Sequence, residues 1–154
     1  MNGGPRLVRS AELGDRPPYA YAAVVGPGSG LVITAGACPI DRDGATVAVG
    51  DVAGQATRVM ANLRTALRAA GTDLDGVVKT TVYVATTSAA DLRTAWDVVR
   101  AAFGPHDPPS TLLGVTVLGY PDQLVEVEAV ALCPHAETSG EVAMSNPSTS
   151  VSSR

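Results

Sequence analysis

Aromatic side chains are scarce in this chain: one Trp, one Phe and four Tyr make up 4% of 154 residues. Its core must therefore be built from Val, Leu and Ala, and the 45% apolar share suffices for one domain. Cysteine and histidine are equally sparse. Cys38 and Cys133 lie far apart with no CxxC or ligand spacing, and His106 and His135 each adjoin a proline in loop-like sequence. No metal site is expected. Lysine occurs once, as Lys79, and the net charge is −4, so a nucleic-acid partner is not expected. Apolar runs of the length that spans a membrane, about 18 residues, are absent, and no membrane association is expected. Met1 to Arg6 contain no apolar signal core, which makes a cytoplasmic location the default expectation. The one Asn-x-Ser triplet, Asn146-Pro147-Ser148, has proline in the middle and cannot be glycosylated.

What is present is a regular succession of strand and helix signals. Arg6 to Arg9 suit a short first strand, and Tyr19 to Val25 a second. Gly26-Pro27-Gly28-Ser29-Gly30 is a turn by composition. Its three glycines would suit a phosphate cradle only if a helix followed. The β-branched run Leu31 to Ala35 follows instead, so a hairpin turn is predicted. Asp51 is placed to cap a helix that carries Val52, Ala56, Val59, Leu63, Leu67 and Ala70 at helical spacing, with Gly71 ending it. Val77 to Val84 reads as a strand. Ser88 and Asp91 resemble a capping box ahead of a second helix bearing Leu92, Ala95, Trp96, Val99 and Phe103, stopped by Gly104-Pro105. Two further strands follow, Pro108 to Val115 and Gln123 to Ala131. The predicted order β-β-β-α-β-α-β-β is that of a two-layer α+β domain over residues 1–135, a mixed sheet with both helices on one face. The Ser/Thr-rich stretch 136–154 is expected to be a disordered tail.

Strand alternation sends Val125, Val127, Ala129 and Ala131 to one face and Glu126, Glu128 and Val130 to the other. The first set suits a face packed on helices. The acids on the second face need water, partners or a chemical role, and covering that face with further copies of the chain predicts a closed homo-oligomer. Trp96 lies on a core-facing helical stripe, where it anchors the core or lines a pocket. Cys38 reads first as a small buried apolar group, since no histidine is positioned by sequence to activate it as a nucleophile.

Several of these segments together resemble the Rid superfamily (YjgF/YER057c/UK114). They are Pro18-Tyr19-Ala20-Tyr21-Ala22, Thr34-Ala35-Gly36 before Pro39, Gln55, Asn62-Leu63, Ala70-Gly71, the strand from Val77 to Val84, and Leu124 to Ala131. The similarity spans roughly residues 6–133. It implies a chorismate-mutase-like fold, a homotrimer and small-molecule pockets between subunits. It also implies cofactor-free hydrolysis of enamines and imines such as 2-aminoacrylate. Deaminating members carry Pro-Ala-Arg-Ser, whose arginine grips the substrate carboxylate. Here Pro108-Pro109-Ser110-Thr111 stands in that place, so Ser110 replaces the arginine and a charged two-pronged contact is gone. Ala20, Ala35, Trp96 and Leu112 likewise replace polar or smaller family residues. On this resemblance Glu126 and Thr111 are the catalytic candidates, Glu126 as acid/base or water-orienting group. Tyr19, Ala35, Cys38, Trp96, Ser110 and Glu128 are the substrate-binding candidates. The expected substrate is an imine-, enamine- or ketone-like small molecule, with specialised metabolism one setting and efficient 2-aminoacrylate deamination not expected. A non-catalytic binding trimer is the alternative, and a ribonuclease role is disfavoured by the negative charge.

Overall fold

The computed structural model describes residues 5–13 and 18–133, so the predicted disordered tail 136–154 lies outside the described residues. Six strands and two helices follow in the predicted order. They are β1 (Arg6–Val8), β2 (Ala22–Val24), β3 (Gly30–Ile33), α1 (Val52–Ala69), β4 (Val77–Ala85), α2 (Ala89–Phe103), β5 (Ser110–Val115) and β6 (Val125–Cys133). Two single-turn 3-10 segments, Ala11–Leu13 and Leu74–Gly76, were not anticipated from the sequence.

The helices start and stop where their caps place them. Asp51 Oδ1 accepts a bond from Gly54 N at 3.0 Å, satisfying one orphan donor of α1. Gly71 follows that helix at φ +85°, a backbone state that costs a glycine little. At α2, Ser88 Oγ accepts from Ala90 N at 3.2 Å. Asp91 does not reach back to Ser88 directly. Its Oδ2 accepts from Thr86 Oγ1 at 2.7 Å, and Thr86 Oγ1 accepts from Ser88 N at 2.9 Å. The box predicted there is thus closed through a threonine hydroxyl, which makes up the methylene that aspartate lacks relative to glutamate.

The main sheet has strand order β3-β6-β4-β5, with β4 and β5 parallel and the other pairs antiparallel. Both helices cover one face. Val59, Leu63 and Leu67 of α1 and Ala95, Val99 and Phe103 of α2 are buried in one cluster with Val82, Val84, Val125, Val127, Ala129 and Ala131. This is the two-layer, chorismate-mutase-like α+β arrangement. The opposite sheet face carries Glu126, Glu128, Lys79, Tyr83 and Thr111. The exposed apolar groups Leu31, Ile33 and Leu113 lie at its margins. Among the described residues no helix is long and apolar enough to cross a membrane.

The turn at Gly26–Gly30 departs from the hairpin expectation. β2 pairs with β1 in a separate two-stranded sheet, whereas β3 pairs with β6. The glycines let the chain pass between two sheets; they do not fold one strand onto the next. β2 is also shorter than predicted, because Tyr19 and Tyr21 leave the strand. Tyr21 Oη donates to Leu13 O at 2.7 Å, and the Tyr19 ring meets Trp96 edge-on at 6.0 Å.

Candidate functional site

Glu126 is the most constrained acid of the open face. Its Oε2 accepts from Gln123 Nε2 at 2.9 Å and from the Cys38 thiol at 3.5 Å. No donor engages Oε1 among the described residues. The carboxylate lies against the backbone at Gly36, where a Cβ would fall 1.9 Å from Oε1. Gly36 is required here by space, since its φ lies outside the left-handed region.

The segment holding Gly36 and Cys38 is fixed from two directions. Ala37 exchanges backbone bonds with Val127 at 2.8 and 3.2 Å, which lays the segment along β6. From α1, Asn62 Nδ2 donates to Cys38 O at 2.8 Å and Ile40 O at 3.0 Å, and Arg58 Nε donates to Ile40 O at 3.1 Å. Gln123 is itself buried. Its Oε1 accepts from Tyr120 N at 3.0 Å and its Nε2 also donates to Val125 O at 3.2 Å. The loop before β6 is tied to α1 by the fully buried Gln55, which donates to Asp122 O at 2.8 Å and accepts from Leu124 N at 2.7 Å. Gly36, Gln55 and Gln123 are the positioning residues of Glu126. Gln55 and Gly36 had a sequence signal, their places in the family pattern. Gln123 stands three residues before Glu126, a spacing with no meaning along a strand.

The Cys38 thiol is pushed up from 9.0 to about 11, first by burial, then by the Glu126 charge and the hydrogen bond to it. It is a protonated donor to Glu126 and not a thiolate nucleophile. With Cys133→Ser to isolate it, Cys38 is expected to react with iodoacetamide roughly 100-fold more slowly than an ordinary thiol at pH 8. Removing the charge with Glu126→Gln lowers the pKa and should speed the alkylation; an unchanged rate would contradict the contact. Gly36→Ala should do the same by expelling the carboxylate, and should reduce any Glu126-dependent turnover at least tenfold, on the order of a lost positioning contact.

Glu128 has a different environment. Its Oε1 accepts from Tyr83 Oη at 2.9 Å, which raises the Tyr83 phenol, chiefly through that bond. Lys79 donates to Thr111 Oγ1, and desolvation lowers the Lys79 ammonium while Glu128 opposes that shift. Thr111 stands opposite Thr81, which stands opposite Glu128, so these groups form one row across three strands. Glu126 lies two residues along in the row of Tyr83 and Leu113, on the order of 10 Å from Thr111.

Ser110 faces the other way. Its hydroxyl meets Thr80 Oγ1 at 2.7 Å and Pro108 O at 2.9 Å on the helix side of the sheet. There it borders a crevice with Trp96, whose free volume of about 10 Å³ holds about one water. Trp96 is half-buried, packed against the core cluster and against the Tyr19 ring. Ala35 is exposed and sits just before Gly36. One protomer thus brings Glu126, Cys38 and Ala35 together on one side, and Ser110, Trp96 and Tyr19 on the other. Thr111 and Glu128 form a third group. None of these residues lines the open cleft of about 300 Å³ at the ends of β4 and β5, which is walled by Thr86, Thr87, Gly114 and Thr116. Among the described residues no three His, Cys, Asp or Glu side chains converge as metal ligands would.

Known proteins resemble this chain in sequence and fold. The family described as Endoribonuclease L-PSP matches residues 13–133. A RutC family protein of Pyrococcus abyssi is 34% identical over 114 residues, 74% of this chain and 85% of that protein. A 2-iminobutanoate/2-iminopropanoate deaminase of Salmonella typhimurium is 32% identical over 118 residues, 75% of this chain and 87% of that protein. Among solved structures, a protein of unknown function of the conserved Rid protein family, YyfB from Yersinia pestis, superposes with a TM-score of 0.74 at 29% identity. That superposition covers 86% of this chain and 99% of YyfB.

Proposed function

The chain belongs to the Endoribonuclease L-PSP family, the Rid superfamily, and from that premise we propose that it is a cofactor-independent enzyme acting on an imine-, enamine- or ketone-like small molecule through Glu126. The observation that carries the reading is the half-engaged carboxylate. One oxygen is held by Gln123 and Cys38, while among the described residues no donor engages the other, which leaves it an acceptor for a water or a substrate proton. An imine carbon is already electrophilic, so hydrolysis needs little beyond a placed water and proton transfer. Water adds its oxygen to that carbon as Glu126 takes one of its protons and passes it to nitrogen, giving a carbinolamine. Glu126 then takes the hydroxyl proton and hands it to nitrogen as the C–N bond breaks, so ketone and ammonia leave. The same acid/base group serves a dehydration or cyclisation of a ketone.

The pocket is proposed to form between copies of the chain. Glu126 and the Ser110–Trp96 crevice lie on opposite faces of one sheet, so they can meet one ligand only if a neighbour's Glu126 face is applied to the β5–α2 edge. The exposed Leu31, Ile33 and Leu113 side chains are 59%, 77% and 43% accessible, and they give the open face an apolar margin that a neighbour would cover. The proposed assembly is the homotrimer that the family resemblance implies, and its mass in light scattering should be three times the 15.6 kDa protomer.

The substrate is proposed to differ from the 2-imino acids named for the Salmonella relative. Ser110 stands where the family resemblance places an arginine, and its hydroxyl is already bonded to Thr80 and Pro108. Loss of a bidentate charged contact lowers the affinity for a small carboxylate by orders of magnitude. Ammonia release from enzymatically generated 2-aminoacrylate should therefore be slow, and Ser110→Arg should raise it. Fast wild-type release would overturn the substrate reading. Binding without turnover across a panel of cyclic and acyclic imines would replace the enzyme with a small-molecule-binding trimer. A ribonuclease activity, despite the family's description, is not proposed for a chain at −4.

A further inference from the structure

The crevice beside Ser110 has a second wall, on helix α2. Arg100 follows Trp96 by four residues, so the two side chains share one face of the helix and both border the crevice. Arg100 is only loosely held. Its Nη2 is 3.4 Å from Asp107 Oδ1, and its Nη1 reaches Gly104 O at 3.4 Å, both long for a guanidinium bond. Asp107 is the acid that should neutralise it, yet Asp107 Oδ2 is taken by the closer pair with Arg9, and Asp107 Oδ1 is buried without a hydrogen bond. The third titratable residue lining the crevice, His106, has its Nε2 at 2.7 Å from Val77 O. A planar cation with 37% of its side chain exposed therefore stands at the mouth with its charge only partly compensated.

We infer that Arg100 is the anion-recognising residue of the pocket, receiving the carboxylate of a substrate whose apolar body lies on Trp96 and Tyr19. This rests on the proposed small-molecule pocket and names its substrate class. The anchor sits on the helix layer and not on strand β5. Ser110 and Arg100 border the same crevice from different layers, so a carboxylate held by Arg100 lies further from strand β5 than one held at Ser110 would. The class is therefore oxo or imino acids in which an apolar spacer separates the carboxylate from the reacting carbon. The crevice holds only about 10 Å³, so the ligand lies across its mouth. The guanidinium offers the carboxylate the two parallel donors that Ser110 cannot.

The test uses the full-length assembled protein with two matched probes, 4-oxopentanoate and its neutral amide 4-oxopentanamide, titrated calorimetrically. The wild type should bind the acid about tenfold or more tightly than the amide, the size of one charge-assisted contact. Arg100→Met, which keeps the apolar stem, should equalise the two, and Arg100→Lys should retain part of the preference. Asp107→Asn removes the competing acid and should preserve or increase the preference. If the Arg100–Asp107 pair were merely structural, Arg100→Met and Asp107→Asn would weaken acid and amide alike. Equal binding of the two probes by the wild type, absence of acid binding, or a preference that survives in Arg100→Met would overturn the inference. Glu126→Gln separates the two readings. It should leave the acid–amide ratio intact, and if it also leaves turnover intact, the role of Glu126 fails while that of Arg100 stands.

Discussion

Replacing Glu126 with glutamine is expected to lower turnover of any accepted imine or ketone by about 10²- to 10⁴-fold, the range of a lost general acid–base group. The substitution is a sharp one because it changes little else. Glutamine matches the side chain in volume and fits the same space over Gly36. Its carbonyl oxygen can still accept from Gln123 Nε2 and from the Cys38 thiol, as Oε2 does at 2.9 and 3.5 Å. What it cannot do is take a proton from water. The loss should fall on kcat, with KM little changed, because the group acts on the transition state and not on the bound substrate. Release of ammonia or ketone from the best substrate of an imine panel measures it. A variant with wild-type kcat would remove Glu126 from the chemistry and leave it a structural acid.

Gln55→Leu is expected to be the most damaging single change to stability near the site, about 2–5 kcal/mol in equilibrium unfolding. Gln55 is fully buried, and its amide satisfies Leu124 N–H at 2.7 Å and Asp122 C=O at 2.8 Å. Leucine fills the space and leaves both backbone groups unpaired. Each orphan costs roughly 1–3 kcal/mol to the extent that water is kept from it, less for the exposed Asp122 than for Leu124. Asp122 also sits at φ +57°, a conformation an aspartate tolerates only with support from its surroundings. The loop it belongs to delivers Gln123 to Glu126, so the variant should lose activity beyond what its folded fraction accounts for. A denaturation midpoint within error of the wild type would show that the loop finds other partners.

The scaffold of the site was largely legible in the sequence, and its wiring was not. Period-3.6 stripes and the caps Asp51, Ser88, Gly71 and Gly104 place both helices, because capping is a local interaction. Period-two alternation in Val125–Ala131 separates the buried set from Glu126 and Glu128, which is the sidedness the fold requires. The same alternation sets Ser110 and Thr111 on opposite faces of β5, so within one protomer the two side chains point into different surroundings. The partner of β3 was not legible. A turn composition shows that a chain reverses but not which strand it will pair with, and β3 passes over β2 to reach β6. Nor were the role of Gln123 and the contact made by Gly36, since the approach of Gly36 to Glu126 joins segments 90 residues apart in the chain.

That pairing of Gly30–Ile33 with residues 130–133 of β6 bears on synthesis. A ribosome adding about 5–20 residues per second has already made β3 several seconds or more before its partner strand leaves the exit tunnel. During that interval Leu31, Val32 and Ile33 form an unpaired, apolar, β-prone stretch on a nascent chain, and long-range closures of this kind are slow to form. Gly36 and Cys38 adjoin the same segment, so the Glu126 site comes into being only with the last strand. A premature stop before β6 would yield no weakened version of the protein. It would leave a chain without a site, with a sticky strand for chaperones to cover.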